Sequence, residues 1–386
     1  MNIILVCSGT AGHINPALAI ANELKNKQPD TKILFIGAGR DMENKLVPSA
    51  GYELINIKMS GLMRKPSPKM VVHNIRTVKN LLAAKKTITN IIRAFKPDVV
   101  IGTGGYVCYP VIKVAFKNKV PSVIHESNVS PGLAATMVSD IVDYMFTSFP
   151  GTEHKYKKPE RVIHTGTPVL KLRNAEKQSS DVYRAANVSE KPLIVSFWGS
   201  LGAERMNAMM PQFIRLLIQD NKFRLVHAAG NTAEVEKIIE NVKKRNDSDI
   251  SNECSEVREY IDDMPAVLTA ADIVLCRAGG ATIGEIIAYK KPSVLVPSPY
   301  VSNNEQEENA KQLEKIGGAV VLQEKDCTGE ILYNQVASIL NDSQKREKMS
   351  EALSAINRPC AASSIAEHII SLANKRNSLV IKEEGS

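Results

Sequence analysis

Residues 7–16 read CSGTAGHINP, between the apolar run NIILV and the helical pattern ALAIANELKNK. A strand, a glycine-bearing turn and a helix make a cradle for an anion, because the first N–H groups of a helix lack intrahelical partners and its N-terminal end is partially positive. His13 stands in that cradle, where an imidazole that titrates near neutral pH can take a proton from a hydroxyl. WGSLGA, residues 198–203, repeats the construction: Gly199 and Gly202 let the backbone close in, and Ser200 can donate to a phosphate. RAGGATIGE, residues 277–285, follows the strand-like ADIVLC. Its successive N–H groups can hold a diphosphate without a metal, and Glu285, farther along, can accept both hydroxyls of a ribose. In NNEQEEN, residues 303–309, Gln306 and Asn309 are three apart and share a helix face; amides both donate and accept, which suits sugar hydroxyls. GTGGYVCYP (102–110) and HESN (125–128) are polar turns at strand ends. Each of these features also has a plain structural use, as a tight turn, an N-cap or a hydrogen-bonded core histidine.

Other chemistries are absent. GAGRDM, in KILFIGAGRDME, comes close to the dinucleotide fingerprint, but Met42 stands where its third glycine belongs and no acid lies about 20 residues on. There is no GxxxxGK[ST] and no GxSxG. The six cysteines are scattered singly, without CxxC or a His/Cys cluster, so neither a metal site nor a disulfide frame is expected and a reducing cytoplasm fits. The N-terminus does not read as a signal peptide, and no apolar run approaches the ~18 residues of a membrane span.

The elements that must position these turns are α/β units. NIILVC, KILFIG, VVIGTG and PSVIHES are continuous apolar strands of the kind buried on both faces of a parallel sheet. PLIVSFWGS, FRLVHAAG, ADIVLCRAGG, PSVLVPSP and GAVVLQ repeat the scheme in the second half. Two Rossmann-like domains are expected, 1–168 and 169–357, facing a cleft, with a C-terminal helix at 358–375 (SSIAEHIISLANK) packing back on the first. Ligands of such sheets bind beyond the carboxyl ends of the strands, where the turns above lie. Charge is uneven: residues 1–168 carry 22 Lys/Arg against 11 Asp/Glu, and residues 54–97 carry ten basic residues and no acid. Such a face attracts anionic lipid, nucleic acid or an acidic substrate.

Jointly, these pieces resemble the MurG family, bacterial glycosyltransferases that add N-acetylglucosamine to the lipid-linked muramyl-peptide precursor of peptidoglycan. The resemblance runs from the first strand to about residue 370 through GTAGHINP, GTGGYVCYP, HESNVSPG, GTPV, WGSLGA, YIDDM followed by AD, RAGG and TIGE, and QEENA, in matching order. It implies the two-domain GT-B fold, UDP-N-acetylglucosamine as donor, inversion at the anomeric carbon, no metal or other cofactor, no nucleic acid, and a peripheral place on the cytoplasmic face of the cell membrane. Position by position, it implies His13 and Glu126 as candidate catalytic bases. Donor contacts fall on Thr10, Ala11, Gly12, Asn128, Ser200, the uracil-holding backbone of Ile261, Gly280, Ala281, Thr282, Ile283, Glu285, Gln306 and Asn309, with Thr10, Gly12 and Asn128 also facing the acceptor and the reacting bond. Gly104, Gly105 and Tyr106 face the acceptor. The acceptor's polyprenyl tail gives the acid-free stretch a use. Arg64, Lys65, Lys69 and Lys79 would attract anionic inner-leaflet headgroups at about 1 kcal/mol each, and Ile75 and Leu82 would dip into the interface. The plainer alternative is a solvated helix with its apolar face in the core. The pattern is broken at Ala11, Ala135, Leu170 and Gly280, where the family has a glycine, an asparagine, an arginine and an alanine. Two alternatives stand beside it: a related transferase using another glycolipid acceptor, and a basic membrane-surface or nucleic-acid binder.

Overall fold

The computed structural model describes residues 1–57, 59, 84–170, 191–200, 202–243 and 254–384. Arg64, Lys65, Lys69, Ile75, Lys79 and Leu82 lie outside the described residues. The chain divides into two units, Met1–Leu170 with Arg358–Ser386, and Lys171–Asn357.

In the first unit, β1 (Asn2–Val6), β2 (Lys32–Gly37), β3 (Glu53–Asn56), β4 (Val99–Gly102), β5 (Ser122–Glu126), β6 (Tyr144–Thr147) and β7 (Val162–His164) form one sheet, ordered β3-β2-β1-β4-β5-β6-β7. Every neighbouring pair is parallel. The continuous apolar strands are explained by two cores, one on each face. Ile4, Val6, Leu34, Ile36 and Val100 point into one. The alternate residues Ile3, Leu5, Ile33, Phe35 and Val99 point into the other. Helix α1 (Ala11–Lys27) covers the second face through Ala17, Leu18, Ala21 and Leu24, and Lys25 and Lys27 close its last turn, where the helix end is partially negative. The C-terminal helix Ala361–Glu384 packs beside it with Ile365, Ala366, Ile369 and Ala373. α2 (Asp41–Ser49) follows β2. α3 (Cys108–Lys117), α4 (Leu133–Val138) and the helix at 84–95 cover the first face. On that last helix Ala84, Ile88 and Ile92 are buried while Lys85, Lys86 and Arg93 are exposed, the division a 3.6-residue period makes.

The second unit repeats the design with β8 (Leu193–Phe197), β9 (Arg224–Ala228), β10 (Ser255–Arg258), β11 (Ile273–Cys276), β12 (Ser293–Leu295) and β13 (Ala319–Val321). Their order is β10-β9-β8-β11-β12-β13, again with all neighbours parallel. Two helices matter for the site: α5 (Gly280–Tyr289) after β11 and α6 (Glu305–Lys315) after β12. Among the described residues no helix is long and apolar enough to cross a membrane.

Phe213 anchors the second core: it is fully buried and meets the Tyr333 ring edge-on, with centroids 5.6 Å apart. Phe213→Ala is expected to cost about 3–5 kcal/mol, because the removed ring leaves a cavity. Urea unfolding measures this; a loss below about 1 kcal/mol would contradict the packing described.

Candidate active site

In the first unit, β1 and β4 end in register, with Val6 beside Gly102, and β5, with Ile124 beside Gly102, runs on to Glu126. Three turns therefore meet at one edge. In the first, Gly9 takes a φ of 101°, the left-handed region that glycine permits. Thr10 caps α1 with extended backbone and no side-chain bond, and its side chain is exposed. The N–H groups of His13 and Ile14 reach the Thr10 carbonyl at 3.0 and 3.3 Å. Those of Ala11 and Gly12, at the helix start, precede the intrahelical ladder, and no acid occupies this first turn. Farther in, Pro16 has no N–H to give the Gly12 carbonyl.

The second turn presses on the first. Gly104 and Gly105 have φ of 120° and 86°. A Cβ on Gly104 would stand 2.3 Å from His13 Nδ1, and one on Gly105 2.1 Å from Ser8 Oγ. Only glycines allow this approach. Thr103 Oγ1 donates to the His13 carbonyl at 2.7 Å. Burial holds the His13 imidazole below its ordinary pKa, and a hydrogen bond with the Thr103 backbone partly offsets this. Tyr106 turns aside, its hydroxyl donating to the Met59 carbonyl at 3.2 Å.

The third turn is organised by Glu126, which is 7% exposed. Its Oε1 accepts from the Asn128 backbone N–H (2.9 Å) and Nδ2 (3.0 Å), and Oε2 accepts from Gly132 N–H (2.8 Å). Desolvation raises this carboxyl above its ordinary pKa, and the N–H donors pull it back in part. Asn128 is thereby tied to Glu126 within the loop. Two of the four departures from the family pattern serve packing here: Ala135 is buried, and Leu170, partly buried, packs against the core on the face that carries α1.

In the second unit, β8 and β11 also end side by side, Phe197 beside Cys276. Gly199 (φ 92°) leads into a partly exposed Ser200. Gly202 (φ 70°) lies so close to the Ala229 carbonyl that a Cβ there would come within 2.1 Å of its oxygen. Asn207 Nδ2 donates to the same carbonyl at 2.8 Å, seating the turn from below. Gly279 caps α5 with no side-chain bond, and the first intrahelical donor is Ile283, to the Gly279 carbonyl at 2.9 Å. The N–H groups of Gly280, Ala281 and Thr282 thus form the open end of the helix, while the Ile283 side chain is fully buried. Glu285 lies in the second turn of α5, and its charge, second to burial, helps raise the Tyr260 hydroxyl to about 12.

The amide pair divides. Gln306 Oε1 accepts from Ser298 N–H at 2.9 Å and the residue is partly exposed. Asn309 is fully buried and donates to the Ala278 carbonyl at 3.1 Å, behind the turn into α5. A shared helix face is evident in the spacing, but its burial is not. Two other residues hold this turn, one inside the motif but given no role there and one outside it. Arg277, 6% exposed, donates to the Val296 carbonyl (3.0 Å) and to Glu324 Oε2 (2.6 Å), itself buried. Glu324, 47 residues away in a polar segment, gives no signal in the sequence. Among the described residues no three His, Cys, Asp or Glu gather as a metal site.

Residues 3–147 match the model of the glycosyltransferase family 28 N-terminal domain, and residues 193–368 that of the family 28 C-terminal domain. The chain belongs to glycosyltransferase family 28. This family 28 chain is 38% identical, over 96% of its length and 97% of the relative's, to a UDP-N-acetylglucosamine--N-acetylmuramyl-(pentapeptide) pyrophosphoryl-undecaprenol N-acetylglucosamine transferase of Acetivibrio thermocellus. It is 39% identical to the protein of that name from Thermoanaerobacter sp., over 96% of the chain and all of the relative. Among solved structures it shares the fold of Acinetobacter baumannii MurG (TM-score 0.69, 24% identity, 96% of this chain and 99% of that one). The S. aureus MnaA–UDP structure shares it as well (TM-score 0.67, 16% identity, 97% of both chains).

Removing one partner of a buried ion pair strands the other. Glu324→Leu is therefore expected to lower the stability of this family 28 chain by about 3–5 kcal/mol in chemical denaturation. A change below 1 kcal/mol would show that Arg277 does not depend on it.

Proposed function

We propose that this chain moves N-acetylglucosamine from UDP-N-acetylglucosamine to the muramyl sugar of undecaprenyl-diphosphate-linked muramyl-peptide, with inversion and without a metal ion, in peptidoglycan synthesis. The observation that carries the proposal is the name borne by relatives 35–39% identical over nearly their whole length. The turns at strand ends support it chemically. In the second unit, Ser200 and the N–H groups of Gly280, Ala281 and Thr282 meet the diphosphate, the Ile261 backbone meets the uracil, Glu285 the ribose and Gln306 the sugar. Asn309 supports that site through the Ala278 carbonyl. In the first unit, Thr10, Ala11 and Gly12 at the head of α1 attend the reacting bond, and the Gly104–Gly105 turn faces the acceptor.

The reaction is a single displacement. The acceptor hydroxyl attacks the anomeric carbon, the bond from that carbon to the diphosphate oxygen breaks, and UDP carries the electron pair away. Fixed N–H dipoles at the leaving diphosphate stabilise the growing charge. His13 is the base in this scheme, since its ring is held against Gly104 and burial favours its neutral form. Glu126 is the positioning acid of the 126–132 loop, its oxygens already engaged by Asn128 and Gly132.

Contact with anionic lipid on the cytoplasmic face of the membrane is part of the proposal. Supporting it are the exposed Lys85, Lys86 and Arg93, and exposed Phe116, Leu133 and Met137 on the packed helices α3 and α4.

Purified protein given UDP-N-acetylglucosamine and a short-chain lipid-linked muramyl-peptide, with a chelator present, should release UDP; release only with another glycolipid acceptor would contradict the substrate assignment. A base works deprotonated, and burial lowers the His13 pKa, so kcat/KM should rise with pH along a limb centred below 6.5 and then level. His13→Ala should lose about 10²–10⁴-fold in kcat and abolish that limb while keeping UDP affinity. Near-normal turnover would remove His13 from the role.

A further inference from the structure

GAGRDME, the motif that fails as a nucleotide fingerprint, has a different use. It carries Glu43, which is 0% exposed in the first turn of α2. Burying a carboxylate is costly unless its oxygens are satisfied, and here four backbone donors converge on them. Oε2 accepts from Ala38 (2.6 Å), Gly39 (2.9 Å) and Arg40 (3.3 Å), closing the turn from β2 into its own helix. Oε1 reaches across to the neighbouring strand end and accepts from Gly9 N–H at 2.7 Å. Room for the carboxylate exists because residue 37 is glycine: a Cβ there would stand 2.5 Å from Oε2.

We propose that Glu43 is a positioning residue for the turn that carries Thr10, Ala11, Gly12 and His13. Gly9 is the point at which that turn leaves β1, and its φ of 101° belongs to a residue with many accessible conformations. The hydrogen bond to Glu43 selects one. The opposite side of the turn is bounded by Gly104 and Gly105, against His13 and Ser8. The start of α1 is thus held between a buried charge and a second glycine turn, and His13 inherits its place from both. The proposal rests on the proposed function insofar as His13 acts on the acceptor hydroxyl.

Two variants test it in the full-length protein. Glu43→Gln keeps the shape but turns an amide N–H₂ toward backbone donors. Gly37→Ala leaves the charge and pushes a methyl group against Oε2. Each should lower kcat at least tenfold, leave the KM for UDP-N-acetylglucosamine within twofold, and speed amide exchange at Gly9, Ala38 and Gly39 while the β1 and β4 amides keep their rates. A kcat within twofold of wild type in both variants overturns the proposal. So does faster exchange throughout the first sheet in step with lost activity, which marks a role in overall stability alone. If Glu43→Gln does not fold, Gly37→Ala decides on the same readouts. If wild-type protein shows no turnover with the lipid-linked acceptor, the proposed function fails instead; exchange at Gly9 then decides the clamp, and unchanged rates there overturn it.

Discussion

In a sheet whose strands all run parallel, every strand delivers its carboxyl end to the same edge, and the rest of this structure depends on that constraint. The turns after β1 and β4 are separated by about a hundred residues of chain, and those after β4 and β5 by about twenty, yet all three lie side by side, because Val6 and Ile124 both pair with Gly102. The same holds in the second unit for the turns after β8 and β11. Backbone N–H groups that no strand or helix consumes collect there, and glycines let the turns approach closely enough for those groups to act together.

Turns rich in glycine have many conformations, and here three of the strand-end turns are restrained by a buried acid. Glu43 ties Gly9 to the 38–40 turn, and Glu126 ties residues 128 and 132 together. Glu324 fixes Arg277, which reaches the Val296 carbonyl from the base of the α5 turn. The cost of desolvating each carboxylate is offset by charge-assisted hydrogen bonds, so removing any of them leaves donors or a cation stranded.

Much of this was legible in the chain. Continuous apolar runs such as NIILV require a sheet covered on both faces, and the alternation of Ile3 and Ile4 between two cores shows why no polar residue interrupts them. The turns were legible as glycine clusters, and their order as a family resemblance. Partnership at long range was not. Asn309 and Gln306 look alike on a helix, and only the packing against Ala278 separates a buried strut from a partly exposed amide. Glu126 stands in HESN as a candidate base, and only the structure shows its oxygens on the backbone donors of Asn128 and Gly132 and on the Asn128 amide. Glu43 was hidden inside a motif that matched another function poorly. Short spacing rules report which side chains share a face, whereas burial and hydrogen bonding depend on strands brought together by the fold.

The central proposal is that the donor's UDP and the acceptor are served by turns in different units. Amide exchange with and without UDP tests it most directly. UDP should slow exchange at Gly199, Ser200, Gly202 and Gly280–Thr282 and leave Gly9–His13 and Gly104–Tyr106 unchanged. Protection at Gly9–His13 with none at Gly280–Thr282 would contradict the account.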